Sequence, residues 1–68
     1  MIVTRLDRVL ADRKMQSKEL AEITGISEVN ISRFKTGKIT AVRFSTLNAL
    51  CEALKCQPAD LLEWHEEK

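Results

Sequence analysis

The chain has 68 residues, of which 44% are hydrophobic and 31% charged, and its formal net charge is +1. A globular chain of this length forms at most one domain and buries only about 60% of its unfolded surface, which excludes a large enclosed substrate cavity. It has no hydrophobic run near the ~18 residues of a membrane span and no signal-peptide core, so we expect one cytoplasmic domain over residues 1–68 with no membrane partner.

Hydrophobic residues recur at helical spacing between a few strong breaks. Gly25 and Gly37 are expected to end two helices, because glycine readily adopts the left-handed conformation found just past a helix. Pro58 suits the first position of another helix. No segment alternates with a period of two for long, so no sheet is expected. The predicted fold class is all-α, a compact bundle of five helices at residues 4–13, 18–24, 28–36, 43–54 and 58–65.

Capping residues and apolar stripes support these boundaries. Ser17 and Ser27 are the expected N-caps of the second and third helices. Charged residues of the first helix are expected to form a solvated face. Trp64, the only tryptophan, either closes the core or anchors a dimer. The fourth helix is expected to bury one stripe, made of Phe44, Leu47, Leu50, Cys51 and Leu54.

The cysteines and the histidine predict neither a metal site nor a catalytic one. Cys51 and Cys56 are spaced neither as a zinc knuckle nor as a redox CxxC pair. Positions five apart on a helix are separated by about 7.5 Å along its axis, beyond the usual reach of a disulfide. His65 is the only histidine. We therefore expect structural thiols, no cofactor, no metal and no enzymatic activity.

Charge is distributed unevenly along the chain. Residues 29–51 contain four basic side chains and no acidic one, whereas residues 52–68 are mainly acidic. This pattern suggests one surface for an anionic partner. A chance fluctuation in a short chain is the alternative, and charge alone does not choose between them.

The segment that carries the function is predicted to be a pair of short helices joined by a tight turn. The segment LAEITGISEVNISRFKTGK, residues 20–38, has apolar residues on both sides of Gly25 and closes with Gly37 and Lys38. This segment resembles the Cro and phage-repressor (Xre-like) helix-turn-helix family. The outer helices match as well, through Phe44, Leu47 and the closing residues 58–62. The resemblance implies a lambda-repressor-like fold and a DNA-binding transcriptional regulator, usually dimeric, with helix 28–36 in the major groove.

The resemblance also implies which residues contact DNA. By position, the base-reading residues are Glu28, Val29, Ser32 and Arg33. Phosphate contacts fall on Gln16, Ser17, Ser27 and Lys38. The residues themselves add two further phosphate candidates, Thr36 on the outer face of the third helix and Arg43 at the start of the fourth. The chain departs from the family in two places: many relatives have glutamine at Ser17, and many have an arginine–glutamate ion pair where this chain has Leu10 and Lys35.

Helical geometry supports this assignment independently. At 100° per residue, Ser27, Ile31 and Phe34 face the core, and the opposite face carries Val29, Ser32, Arg33 and Thr36. Arginine can read a guanine edge and a small apolar group can meet a thymine methyl.

Two charged positions keep alternatives open. Glu28 either accepts from a cytosine amino group or is a first-turn acid favoured by the helix dipole. Arg43 either contacts DNA, at a phosphate or in a minor groove, or is simply solvated.

The leading hypothesis is a sequence-specific regulator that binds double-stranded DNA as a symmetric dimer on a palindromic operator. The alternative is a protein-interaction module of the same fold, such as an antitoxin or an accessory subunit. The candidate homodimer contacts are Leu61, Leu62 and Trp64.

Overall fold

The computed structural model describes residues 1–66 as five helices and two short strands. The predicted number of helices and the largely helical fold class are confirmed. Within the described residues, no helix is long and apolar enough to cross a membrane. In chain order the elements are β1 (Ile2–Thr4), α1 (Leu6–Asp12), α2 (Ser17–Thr24), α3 (Glu28–Thr36), α4 (Phe44–Leu54), α5 (Pro58–Leu61) and β2 (Leu62–Trp64).

One hydrophobic cluster receives side chains from all five helices. Its members recur at steps of three or four residues in α1, α3 and α4, as a buried helical face requires. The most buried are the large side chains, which hold α2 and α3 against the other helices. The cluster consists of Leu6, Val9, Leu10, Leu20, Ile31, Phe34, Leu50, Leu54 and Leu61, each at most 5% exposed.

The ends of α2 and α3 lie where their glycines predict them. Gly25 and Gly37 have φ of 76° and 77°, in the left-handed region. Ser27 caps α3, since its Oγ accepts from the backbone N–H of Asn30 at 3.2 Å. The prediction that Ser17 caps α2 is wrong: Ser17 is the first helical residue and Gln16 is the N-cap.

The two strands correct the prediction that the chain has no sheet. β1 and β2 pair antiparallel, with Ile2 opposite Trp64, Val3 opposite Glu63 and Thr4 opposite Leu62. The first helix therefore begins at Leu6, and α5 ends at Leu61 rather than continuing to residue 65. Strands of three residues are too short to show a period of two in the sequence, so the pairing had no visible signal.

Charged side chains fasten the ribbon formed by β1 and β2 to α1. Glu63 accepts from Arg5 Nε at 3.3 Å and from Arg8 Nη2 at 2.6 Å. Arg5 also donates its backbone N–H to the carbonyl of Leu61 at 2.7 Å. The charges on this side of the molecule are thus not merely a solvated face, as the sequence predicted, because two of them bind an acid on β2.

Two predicted core positions are exposed, and so is a third residue for which the core was one of two alternatives. Phe44 is 88% exposed, although its spacing from Leu47 fits the apolar stripe of α4. It is the first residue of that helix and lies beyond the packed cluster, so the stripe begins at the half-buried Leu47. Ser27 also faces solvent, because it precedes α3 with extended backbone angles and the helical wheel does not apply to it. Trp64 is 70% exposed and does not close the core.

The two cysteines lie closer than the helical spacing predicts. α4 ends at Leu54, Lys55 has a φ of 52°, and the chain turns back so that Cys56 N–H donates to the carbonyl of Cys51 at 3.1 Å. Both thiols are free and half-buried. Burial, and then the neighbouring Cys51 thiol, raise the pKa of the Cys56 thiol. The Cys56 thiol therefore stays protonated at neutral pH, and both cysteines pack against the core as small apolar groups.

Candidate nucleic-acid interface

The turn between α2 and α3 is held by hydrogen bonds of one threonine. Thr24 Oγ1 donates to the carbonyl of Leu20 at 2.7 Å and accepts from the backbone N–H of Ile26 at 3.2 Å. Ile26 packs against the core from the turn itself. These contacts fix the direction in which α3 leaves the turn and leave one of its faces uncovered.

The uncovered face of α3 brings together all four predicted base-reading side chains. Every one of them is exposed, and Val29 keeps 62% of its surface in contact with solvent. None of them forms an ion pair with another described residue. The same face includes Thr36 and the nearby Lys38. Together they line one shallow depression, formed by Glu28, Val29, Ser32, Arg33, Thr36 and Lys38.

The hydroxyl groups around α3 differ in what they can still bind. Ser27 Oγ accepts from Asn30, so its own proton remains available to an acceptor. Thr36 Oγ1 donates back to the carbonyl of Ser32 at 3.0 Å and lies 3.4 Å from that of Arg33. Its proton is therefore engaged within the helix. Of these two predicted phosphate contacts, Ser27 has the free donor.

A groove of about 580 Å³ runs between α3, the loop at residues 38–43 and the start of α4. Arg33, Lys38 and Arg43 contribute positive charge to its lining, and no carboxylate of residues 1–66 lines it. Three of the four basic side chains of the acid-free stretch thus line one groove beside α3. Its polar lining also includes side chains that the sequence did not single out, namely Asn30, Thr40 and Thr46.

The start of α2 adds a polar site beside the end of α3. Gln16 is exposed, and its backbone N–H donates to Glu19 Oε1 at 3.4 Å. Ser17 Oγ accepts from Lys35 Nζ at 3.1 Å. Leu10 is only 4% exposed and belongs to the core. The departure from the family's ion pair therefore leaves Leu10 as a packing residue and directs Lys35 to Ser17.

The predicted dimer contacts are not equally available to a partner. Leu61 is fully buried, so its side chain cannot touch a second copy, and Leu62 is half-buried. Trp64 is exposed and lies opposite Ile2, whose side chain is 64% exposed. Ile2 was missed in the sequence because it was assigned to no element.

Comparison with known proteins connects this geometry to a family. A family model described as the Cro/C1-type HTH DNA-binding domain matches residues 5–67. The chain is 48% identical over 67 residues to the uncharacterised HTH-type transcriptional regulator YozG of Bacillus subtilis (strain 168), covering 98% of this chain and 80% of that protein. It also resembles a crystal structure of a candidate DNA-binding protein from Bacteroides fragilis, with 32% identity, a TM-score of 0.80 and coverage of 93% of this chain and 100% of the other.

Proposed function

The chain belongs to the Cro/C1-type helix-turn-helix DNA-binding domain family, and from this premise we propose that it binds operators in double-stranded DNA sequence-specifically, with α3 in the major groove. The observation that carries the proposal is the uncovered face of α3. Its central Arg33 is exposed and has no ion-pair partner among the described residues. A guanidinium in that setting is free to bind the edge of a base.

Base reading is assigned to four side chains on this face. Arg33 donates two hydrogen bonds to a guanine, and Val29 packs on a thymine methyl group. Ser32 donates to a base or to a neighbouring phosphate. Glu28 accepts from a cytosine amino group at the start of the helix.

Phosphate binding is assigned to the residues around that face. Lys38 and Arg43 supply charge from the basic groove, and Ser27 supplies a free hydroxyl proton. Gln16 and Ser17 bind a phosphate from the start of α2. Thr36 is not assigned a phosphate, because donation to a phosphate would break the hydrogen bond from its hydroxyl group to the carbonyl of Ser32.

The proposal includes a symmetric dimer on a palindromic operator. α3 has nine residues, so it is about 13.5 Å long and spans roughly four base pairs. A second copy doubles the contacted sequence when the half-sites lie about 34 Å apart. Trp64 and Ile2 are the proposed contacts between copies, because aromatic anchors are favoured in interfaces and both side chains are exposed on paired strands.

Selection of binding sites from random duplex DNA by the full chain tests this function. The expected winner is a palindrome with two half-sites one helical turn apart, and its affinity should fall steeply as salt rises. Recovery of unrelated sequences by folded protein would contradict sequence-specific binding. Retention of partners at high salt without DNA would instead indicate a protein-interaction module.

A further inference from the structure

Lys35 makes an unusual contact between the two helices of the motif. Its Nζ donates to Ser17 Oγ at 3.1 Å, from the last turn of α3 to the first residue of α2. The side chain is half-buried, and no carboxylate of the described residues lies within ion-pair distance of it. A long cationic side chain is thus placed against a neutral hydroxyl group rather than against a carboxylate.

The direction of this hydrogen bond determines whether the Ser17 hydroxyl group can still donate its own proton. An ammonium has three donors and no acceptor, so Ser17 must accept from it. The proton of the Ser17 hydroxyl then remains to be donated elsewhere. Within the described residues it makes no hydrogen bond. An acceptor for this proton therefore lies outside the described residues, and the adjacent positive charge favours an anionic one.

We propose that Lys35 is a positioning residue of the DNA interface: it holds the Ser17 hydroxyl so that its proton is donated to a DNA phosphate, and its own charge attracts that phosphate. This inference rests on the proposed function and assigns a role to the residue at which the chain departs from its family's ion pair. A contact that merely joined α2 to α3 would stabilise the fold and leave the salt dependence of DNA binding unchanged.

The test measures DNA affinity as a function of salt for the full chain. Because phosphate contacts are independent of sequence, the probe is a random-sequence duplex of 20 base pairs. Lys35→Met keeps the apolar stem and removes the charge. A plot of log affinity against log salt concentration should become less steep by about 0.9 per bound chain. This loss weakens binding about eightfold at 0.1 M salt. Lys35→Arg should retain the parent slope.

Two further variants separate position from charge. Lys55→Met is the matched control, because it removes the same charge from an exposed lysine that lines neither the groove nor the depression. It should leave the slope unchanged. Ser17→Ala should weaken binding in the parent and have little further effect in Lys35→Met, since residues that act together are not additive.

The outcomes distinguish failure of the inference from failure of the function. Parent binding with a Lys35→Met slope equal to that of Lys55→Met would overturn the inference and leave the function standing. So would a lower melting temperature as the only effect of Lys35→Met. A parent that binds neither random nor selected duplexes would overturn both. If Lys35→Met unfolds, Lys35→Gln takes its place in the same measurement.

Discussion

The Nε of Arg13 donates a hydrogen bond to the carbonyl oxygen of Leu54 at 2.8 Å and so ties the end of α1 to the end of α4. Its Nη2 also donates to the carbonyl of Lys55 at 3.3 Å. The last carbonyls of a helix have no hydrogen-bond partner within that helix. A positive charge beside them also interacts favourably with the negative end of the helix dipole. Arg13 thereby completes the end of α4, where the left-handed position is taken by a lysine rather than a glycine.

Arg13→Ala should destabilise the fold by about 1–2 kcal/mol, because charge-assisted hydrogen bonds to two carbonyls are lost. The measurement is the free energy of unfolding from denaturant titration. Arg33→Ala is the matched control, since the Arg33 side chain is exposed and forms no ion pair with a described residue. Equal stability losses in the two variants would show that the contact of Arg13 with α4 contributes nothing.

Glu63 should make stability depend on pH in the acid range. Hydrogen bonds from His65, Arg8 and Arg5 lower the pKa of Glu63 from 4.5 to about 2. A carboxylate whose pKa is lowered by folding adds stability that is present above pH 4.5 and is lost as pH falls towards 2.

Glu63→Gln should therefore be less stable than the parent at pH 7, and the two should converge near pH 2. Denaturant midpoints across this range test the difference. Glu52→Gln, at an exposed acid of α4, should follow the parent at every pH. A constant gap between Glu63→Gln and the parent down to pH 2 would contradict the proposed linkage.

Trp64→Ala should remove the cooperativity with which two copies bind the two half-sites of a palindromic operator. We expect unchanged affinity for a single half-site and a loss of about 2 kcal/mol, near thirtyfold, on the full site, as for an aromatic hot spot. Phe44→Ala is the matched control, because Phe44 is the other strongly exposed aromatic residue. Loss of coupling in Phe44→Ala alone would place the interface at the start of α4 instead.

Val29→Ala should reduce discrimination between thymine and uracil at one position of each half-site. Burial of one methyl-sized group contributes ~0.8 kcal/mol, about a fourfold preference for thymine. Binding to operators with single deoxyuridine replacements measures it, and the melting temperature should stay at the parent value. A preference that survives in the variant would exclude Val29 as the thymine reader.

Much of the fold could be predicted because its signals are local. Gly25 and Gly37 end their helices in the left-handed conformation, and spacings of three and four residues identify Ile31 and Phe34 as core. The exposed face of α3 follows from the same periodicity. Local patterns therefore suffice for the helix-turn-helix itself.

The features that could not be predicted depend on contacts between distant segments. The pairing of Ile2 with Trp64 joins the two ends of the chain, and no local period marks strands of three residues. The contact of Lys35 with Ser17 depends on the angle between α2 and α3. Phe44 fits the stripe of α4 by spacing, yet its exposure is set by where the core ends. Tertiary geometry decides each of these.

Whether α3 reads bases is decided by the affinity of Arg33→Ala for the selected operator and for variants with single-base changes. Lys38→Ala is the matched control, because a phosphate contact should weaken binding to every sequence alike. Arg33→Ala should lose about 1–3 kcal/mol per half-site on the operator, much less on random DNA, and its preference for guanine at one position. Equal weakening on all sequences, as in Lys38→Ala, would contradict base reading by Arg33.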